Sequence, residues 1–295
     1  MLMDDRLPRK SNATQAPHLR ADRCTSCMRD LDSLGWEYGL SFSLYGVRLG
    51  VRVTDPELLA PLRSNLPYAS TLGDNRVVDR LFSVVAVTGP DSGKARYNLY
   101  WDHTLFGLKL DMTGLLDTFN AIATLAFAEL SNERLFVHAG VVGWQGKAIV
   151  IPGKSHSGKS NLVEALLRHG ATYYSDELAV IDERGYVSAY PRPLSLRDGS
   201  KHKPQADGGV LADREPLPVG LVVFTQYEVG ATWQPQSLTA GNGLLLLLDS
   251  TLSAQRNPER AMQVLKQVVR HARIISAQRG EADEVAQGIL HDMDS

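Results

Sequence analysis

Residues 150–162 read VIPGKSHSGKSNL, and the eight residues from Gly153 to Ser160 satisfy the pattern G-x-x-x-x-G-K-[ST]. A loop of this kind holds phosphate because its glycines let successive backbone N–H groups turn toward one oxyanion. The positive end of a following helix lies behind them. The pattern therefore demands a strand directly before the loop and a helix directly after it. AIVIP (148–152) is an apolar strand sequence, and SNLVEALLRHG (160–170) has helical spacing with Gly170 at its C-terminal end. With that context met, Gly153, Lys154, Ser155, His156, Ser157, Gly158, Lys159, Ser160 and Asn161 are expected to cradle the phosphates of ATP. Lys159 is expected to reach the β- and γ-phosphates, and the Ser160 hydroxyl to ligate Mg2+. The side chain of His156 is expected to point outward from the loop.

Magnesium bound to a nucleotide usually takes carboxylate help from the protein. YYSDELAV (173–180) offers Asp176 and Glu177 side by side within what reads as one strand, ATYYSDELAVID (171–182). Adjacent strand residues point to opposite faces, so one acid is expected to face the site and the other to be placed differently. Acids in so apolar a strand are costly unless paired or bound to metal. Ser160, Asp176 and Glu177 are therefore the expected metal ligands.

Length and composition set the frame for this motif. The chain has 295 residues, enough for one large domain or two smaller ones. A net charge of -2 gives no electrostatic case for nucleic acid or an acidic membrane as a partner. The longest wholly apolar run, Leu244–Leu248, is far too short to span a bilayer. The first fifteen residues contain no apolar segment of the secretory kind, so a cytoplasmic location is expected. The two cysteines, Cys24 and Cys27, could join His18 in only part of a zinc site, and free thiols are the expectation.

The periodicity divides the chain into a poorly ordered leader (1–34), a small α+β domain (35–130) and a P-loop nucleotide-binding domain (131–295). In the first domain, strands are expected within 38–53, at 80–89 and at 95–102, with helices at 55–66 and 113–132. In the second, strands are expected at 134–144, 147–153, 171–182, 186–191, 220–227, 243–250 and 273–280. Helices are expected at 160–170, 258–272 and 281–290. The Gly-, Pro- and charge-rich segment 198–218 reads as a loop. Phe224, Tyr227 and Trp233 are expected to pack in the core rather than stack on a base.

The segment from Leu135 to Asp182 resembles the catalytic core of the HPr kinase/phosphorylase family, whose nucleotide-binding fold is shared with phosphoenolpyruvate carboxykinase. It carries a histidine on the strand before the loop, the loop itself, and an acidic pair on the strand after the helix. The resemblance covers residues 134–197 well and the rest of the second half loosely. It implies an α/β kinase domain with a mixed sheet, in which His138, Asp176 and Glu177 surround the metal and the transferred phosphoryl group. It further implies that Asp176 is the general base toward the acceptor hydroxyl. A basic residue in the stretch YPRPLSLRDGS (190–200) is also implied, which favours Arg197 over Arg192 for covering charge on the phosphoryl group. Three departures stand out. His156 occupies a loop position often held by glycine, and the second acid is glutamate. The glycine-rich signature of HPr kinases is also missing, which argues against the phosphocarrier HPr as acceptor.

These readings lead to an ATP- and Mg2+-dependent phosphotransferase acting on a serine-like hydroxyl of a small molecule or peptide. No nucleic acid or membrane is expected as a partner, and a homo-oligomer is compatible with the reading. A phosphorylase or ATP hydrolase on the same residues, or a non-enzymatic nucleotide-sensing module, are the alternatives.

Overall fold

The structure is a computed structural model that describes residues 31–34, 36–74, 77–88, 95–153, 158–190, 194–195, 201–202 and 214–294. His18, Cys24 and Cys27 lie outside the described residues, as does most of the segment 198–218. The chain is mixed α/β, built on two mixed sheets.

The first sheet contains β1 (Tyr38–Leu44), β2 (Val47–Val53), β3 (Thr71–Gly73), β4 (Arg80–Thr88), β5 (Ala95–Trp101) and β6 (Thr104–Leu110). Their order is β3-β1-β2-β4-β5-β6, with β2 and β4 parallel and every other neighbour antiparallel. Tyr45 and Gly46, both at positive φ, close the β1–β2 hairpin, as a two-residue turn matched to strand twist requires. Asp55 caps a short 3-10 turn (Pro56–Leu58) that runs into α1 (Leu59–Ser64). The larger helix, α2 (Met112–Leu130), starts where the Asp111 carboxylate accepts from the Gly114 N–H at 2.8 Å. Its buried Phe119 and Phe127 meet Phe42 and Phe82 edge to face, with centroids 5.3–6.0 Å apart.

The second sheet begins with β7 (Leu135–Trp144) and β8 (Lys147–Pro152), followed by α3 (Lys159–Arg168). Next come β9 (Thr172–Ser175), β10 (Leu178–Ile181) and β11 (Tyr186–Ser188). A separate two-residue pair follows, β12 (Leu194–Ser195) with β13 (Lys201–His202). The chain returns as β14 (Leu217–Tyr227), β15 (Gln236–Ser237), α4 (Ala240–Asp249), α5 (Pro258–His271), β16 (Arg273–Arg279) and α6 (Ala282–Asp294). The order is β11-β10-β7-β8-β14-β16-β15, with β8, β14 and β16 mutually parallel.

Side-chain alternation along the central strands sends each face to its own helix pair. Ile149, Ile151, Leu221 and Val223 pack against Leu162, Val163 and Leu166 of α3 and Val285 and Ile289 of α6. Val150, Val222 and Ile274 pack against Leu244 and Leu247 of α4 and Val264, Leu265 and Val268 of α5. Among the described residues, no helix is long and apolar enough to cross a membrane.

Two local expectations are corrected, and one seven-residue strand lay outside them. Segment 243–250, read as a strand, belongs to α4. Leucine is a good helix former, the run contains no β-branched residue, and Thr239 Oγ1 accepts from the Asn242 N–H at 3.2 Å to cap the first turn. A short apolar run is ambiguous by periodicity alone, and the cap upstream decides it. Segment 171–182, read as one strand, is two strands interrupted at Asp176 and Glu177. Strand β6 was not anticipated at all, because its sequence TLFGLKL carries a mid-strand glycine and no clean alternation.

The helical assignment of α4 has a direct test. Leu247 is fully buried whereas Leu245 is 65% exposed, and a strand would instead place 245 and 247 on one face. Leu247→Ala is expected to cost about 2–5 kcal/mol in denaturant unfolding and Leu245→Ala less than about 1 kcal/mol. Equal losses would contradict the helix.

Candidate functional site

Strand β8 ends at Pro152, and the Gly153 N–H donates back to the His138 carbonyl at 3.1 Å. Lys154, Ser155, His156 and Ser157 lie outside the described residues, as do Arg192 and Arg197. The chain re-enters at Gly158, which opens α3 in the left-handed conformation (φ 83°, ψ 17°). Glycine adopts this geometry without strain. Lys159, Ser160 and Asn161 form the first turn, and no side chain caps the helix among the described residues. The N–H groups of such a first turn lack partners within the helix.

The acidic pair reaches this helix start through an unusual pairing of β7. That ten-residue strand carries two shorter strands along one edge. Val141–Gly143 pair with β9 and Leu135–His138 with β10. Asp176 and Glu177 sit at the junction, where the Ala139 N–H donates to the Glu177 carbonyl at 3.2 Å. Ser175 Oγ accepts from the N–H groups of Glu177 (3.4 Å) and Leu178 (3.2 Å), which stabilises the bend. At a bend the two-residue period lapses, and both carboxylates bear on the Lys159 ammonium.

Close packing brings α3 to β7. A Cβ at Gly140 would lie 2.6 Å from Val163 Cγ2 and 4.0 Å from Lys159 Cβ, so glycine permits the approach. His138, two residues before Gly140, therefore shares its face of the strand. Burial holds the Lys159 ammonium below the usual lysine range, while Asp176 and Glu177 act in the opposite direction. Burial likewise lowers His138. The Glu177 carboxylate and a hydrogen bond to the Glu177 backbone oppose that shift, and Lys159 adds to it. His138, Lys159, Asp176 and Glu177 thus form one electrostatically linked group around the start of α3.

Among the described residues, no group of three or more His, Cys, Asp and Glu side chains is arranged to hold a metal unaided. Magnesium keeps several waters and is commonly held by one or two carboxylates plus substrate phosphates. The Ser160 hydroxyl and the Asp176 and Glu177 carboxylates are hard oxygen donors of this type, so the residues present fit the ion.

Sequence reasoning missed Arg279. This residue ends β16 and is only 3% exposed. Its Nη2 donates to the Gly158 carbonyl at 3.0 Å and its Nη1 to the Gly280 carbonyl at 3.2 Å. Its guanidinium lies 5.3 Å from the centroid of Tyr227. A Cβ at Gly158 would collide with it. No spacing rule could have linked two positions 121 residues apart. Of the three aromatic residues, Phe224 and Trp233 pack against core clusters, whereas Tyr227 is 40% exposed and donates to Glu281 Oε1 at 3.1 Å.

No protein-family model matches the chain, and no curated protein matches it at a significant level.

The buried histidine yields a pH prediction. Folding lowers the proton affinity of His138, so near its ordinary range the unfolded chain binds more protons than the folded one. Stability from this group therefore rises with pH through that range and falls on acidification. Between about pH 7.5 and about pH 5.5, bracketing the ordinary histidine value, wild-type protein should lose more unfolding free energy than His138→Gln. Identical losses in denaturant titrations would refute the assignment.

Proposed function

We propose that the chain is an ATP- and Mg2+-dependent kinase that transfers the γ-phosphoryl group to a serine-like hydroxyl of a small molecule or peptide. The observation that carries this reading is the meeting of Lys159, in the first turn of α3, with His138 and the Asp176–Glu177 pair. The strand–loop–helix unit of β8 and α3, with β14 parallel to β8, supports a P-loop kinase fold of the HPr kinase and phosphoenolpyruvate carboxykinase kind.

In this reading the N–H groups at the start of α3 and the Lys159 ammonium hold the β- and γ-phosphates. Ser160, Asp176 and Glu177 hold magnesium, which when bound draws charge from the phosphate oxygens. The acceptor oxygen attacks the γ-phosphorus, the bond to the β–γ bridging oxygen breaks, and its electron pair leaves with ADP. Asp176 takes the hydroxyl proton on a carboxylate oxygen as the new bond forms. His138, kept neutral by burial, orients the group through the Glu177 backbone without adding a positive charge. Arg197, from outside the described residues, covers charge on the moving phosphoryl group. Transfer of this kind relies on positioning and electrostatics, which these residue types supply.

Asp176→Asn keeps the side-chain shape and removes the basic oxygen. Calorimetric ATP affinity should stay within about tenfold while turnover falls by roughly two to four orders of magnitude. Turnover is read by mass spectrometry after incubation with ATP, free serine and serine-containing peptides. Unchanged turnover would defeat the mechanism. Complete loss of ATP binding would make Asp176 chiefly a metal ligand. Lys159→Ala should weaken ATP binding and abolish transfer, since the phosphates lose their mobile cation. Wild-type affinity and activity in that variant would remove the phosphate-loop assignment.

A further inference from the structure

Arg279, the last residue of β16, lies on the face of the second sheet that carries α3 and α6. Ile275 clusters with the buried residues of those two helices, and the two-residue period of the strand puts 279 on the same face. From there the guanidinium reaches the carbonyl of Gly158, the residue immediately before Lys159. We propose that Arg279 is a positioning residue for phosphate, which aims and polarises the Lys159 N–H through the Gly158 carbonyl. The inference rests on the kinase reading above and assigns it a residue that the reading did not contain.

A trans peptide unit is planar, so its carbonyl and its N–H point in opposite directions. The Gly158 carbonyl and the Lys159 N–H belong to one such unit. The carbonyl points into α3, where it accepts the first helical bond from the Leu162 N–H at 3.3 Å. That bond is long, and Gly158 stands in the left-handed conformation with no side-chain cap on the helix. Glycine turns more freely than any other residue, so one weak helical bond holds this unit loosely. Arg279 Nη2 adds a second bond at 3.0 Å, from a charged donor. With the carbonyl so pinned, the Lys159 N–H is directed out of the helix start, the direction from which an anion is bound. Donation to the carbonyl also polarises the N–H of the same unit and strengthens it as a donor.

The guanidinium is itself held in place. Its Nη1 donates to the Gly280 carbonyl at 3.2 Å, and the Arg279 carbonyl accepts from the Glu228 N–H at 2.9 Å. Tyr227 is the register partner of Arg279 on β14, and its ring centroid lies 5.3 Å from the guanidinium. The Tyr227 hydroxyl in turn donates to Glu281, just before α6. A buried side chain whose fork is divided between two carbonyls, beside an anchored ring, is locked in its rotamer, as a positioning group must be. A lysine ammonium is a point donor on a flexible stem, whereas the planar fork serves both carbonyls at once.

The test uses the full chain labelled with 15N-lysine and titrated with ATP in the presence of magnesium. Arg279→Met keeps an unbranched apolar stem and removes the guanidinium. Calorimetric ATP affinity should fall about 5- to 30-fold, as the weakening of one charge-supported hydrogen bond predicts. The Lys159 amide resonance, identified by its loss in Lys159→Arg, should shift on ATP addition in the wild-type protein and shift markedly less in the saturated variant. Arg279→Lys serves if the first variant fails to fold, and should weaken ATP about 3- to 10-fold because one fork bond is left unmade. Wild-type affinity in the variant that folds would overturn the proposal. So would a weakened affinity with the full Lys159 amide shift, since the residue would then act on the fold rather than on this N–H. Wild-type protein that binds no ATP would remove the phosphate-loop reading, and this inference with it.

Discussion

The pairing of β7 with two strands along a single edge is the constraint on which the candidate site depends. A continuous partner strand would alternate its side chains and separate two adjacent acids. The bend at Ser175–Glu177 suspends that alternation for two residues, and the backbone remains tied to β7 by the Ala139–Glu177 hydrogen bond. Both carboxylates can then act on one ammonium group. The absence of a side chain at Gly140 completes the arrangement, because α3 comes close enough to β7 for Lys159 to join them.

This geometry sets opposing demands on its charges. Lys159 and His138 are both partly withdrawn from water, which favours their neutral forms, and the nearby carboxylates partly restore the charged ones. A lysine without acidic neighbours at this depth would hold its proton less firmly. Acids without the lysine would repel each other. The group is balanced as a unit, so the consequence of changing one member is not a simple sum of pair terms.

How much of this was legible in the sequence depends on the range of the interaction involved. The strand–loop–helix unit around residues 148–170 could be read directly, because a glycine pattern, an apolar strand and helical spacing are all local signals. The Asp176–Glu177 pair could be located, though its geometry could not. A bend depends on Ser175 turning its hydroxyl to its own backbone, and serine in a strand does not announce that choice. The leucine run of α4 has no periodicity to separate helix from strand, and the deciding information lay in Thr239, upstream of it. Arg279 was invisible, because its role comes from the parallel stacking of β8, β14 and β16 rather than from its neighbours in sequence.

The bond from Arg279 to the Gly158 carbonyl spans 121 residues of chain and has a consequence for synthesis. A ribosome delivers β8 and α3 well before β14 and β16, which flank and complete that part of the sheet. Until β14 emerges, one edge of β8 has no partner. Until β16 follows, the carbonyl that opens α3 has no guanidinium to receive. The nascent chain therefore carries the G-x-x-x-x-G-K-S segment for much of its translation without the strand that secures the start of α3. The start of α3 gains this partner only once β16 has been made.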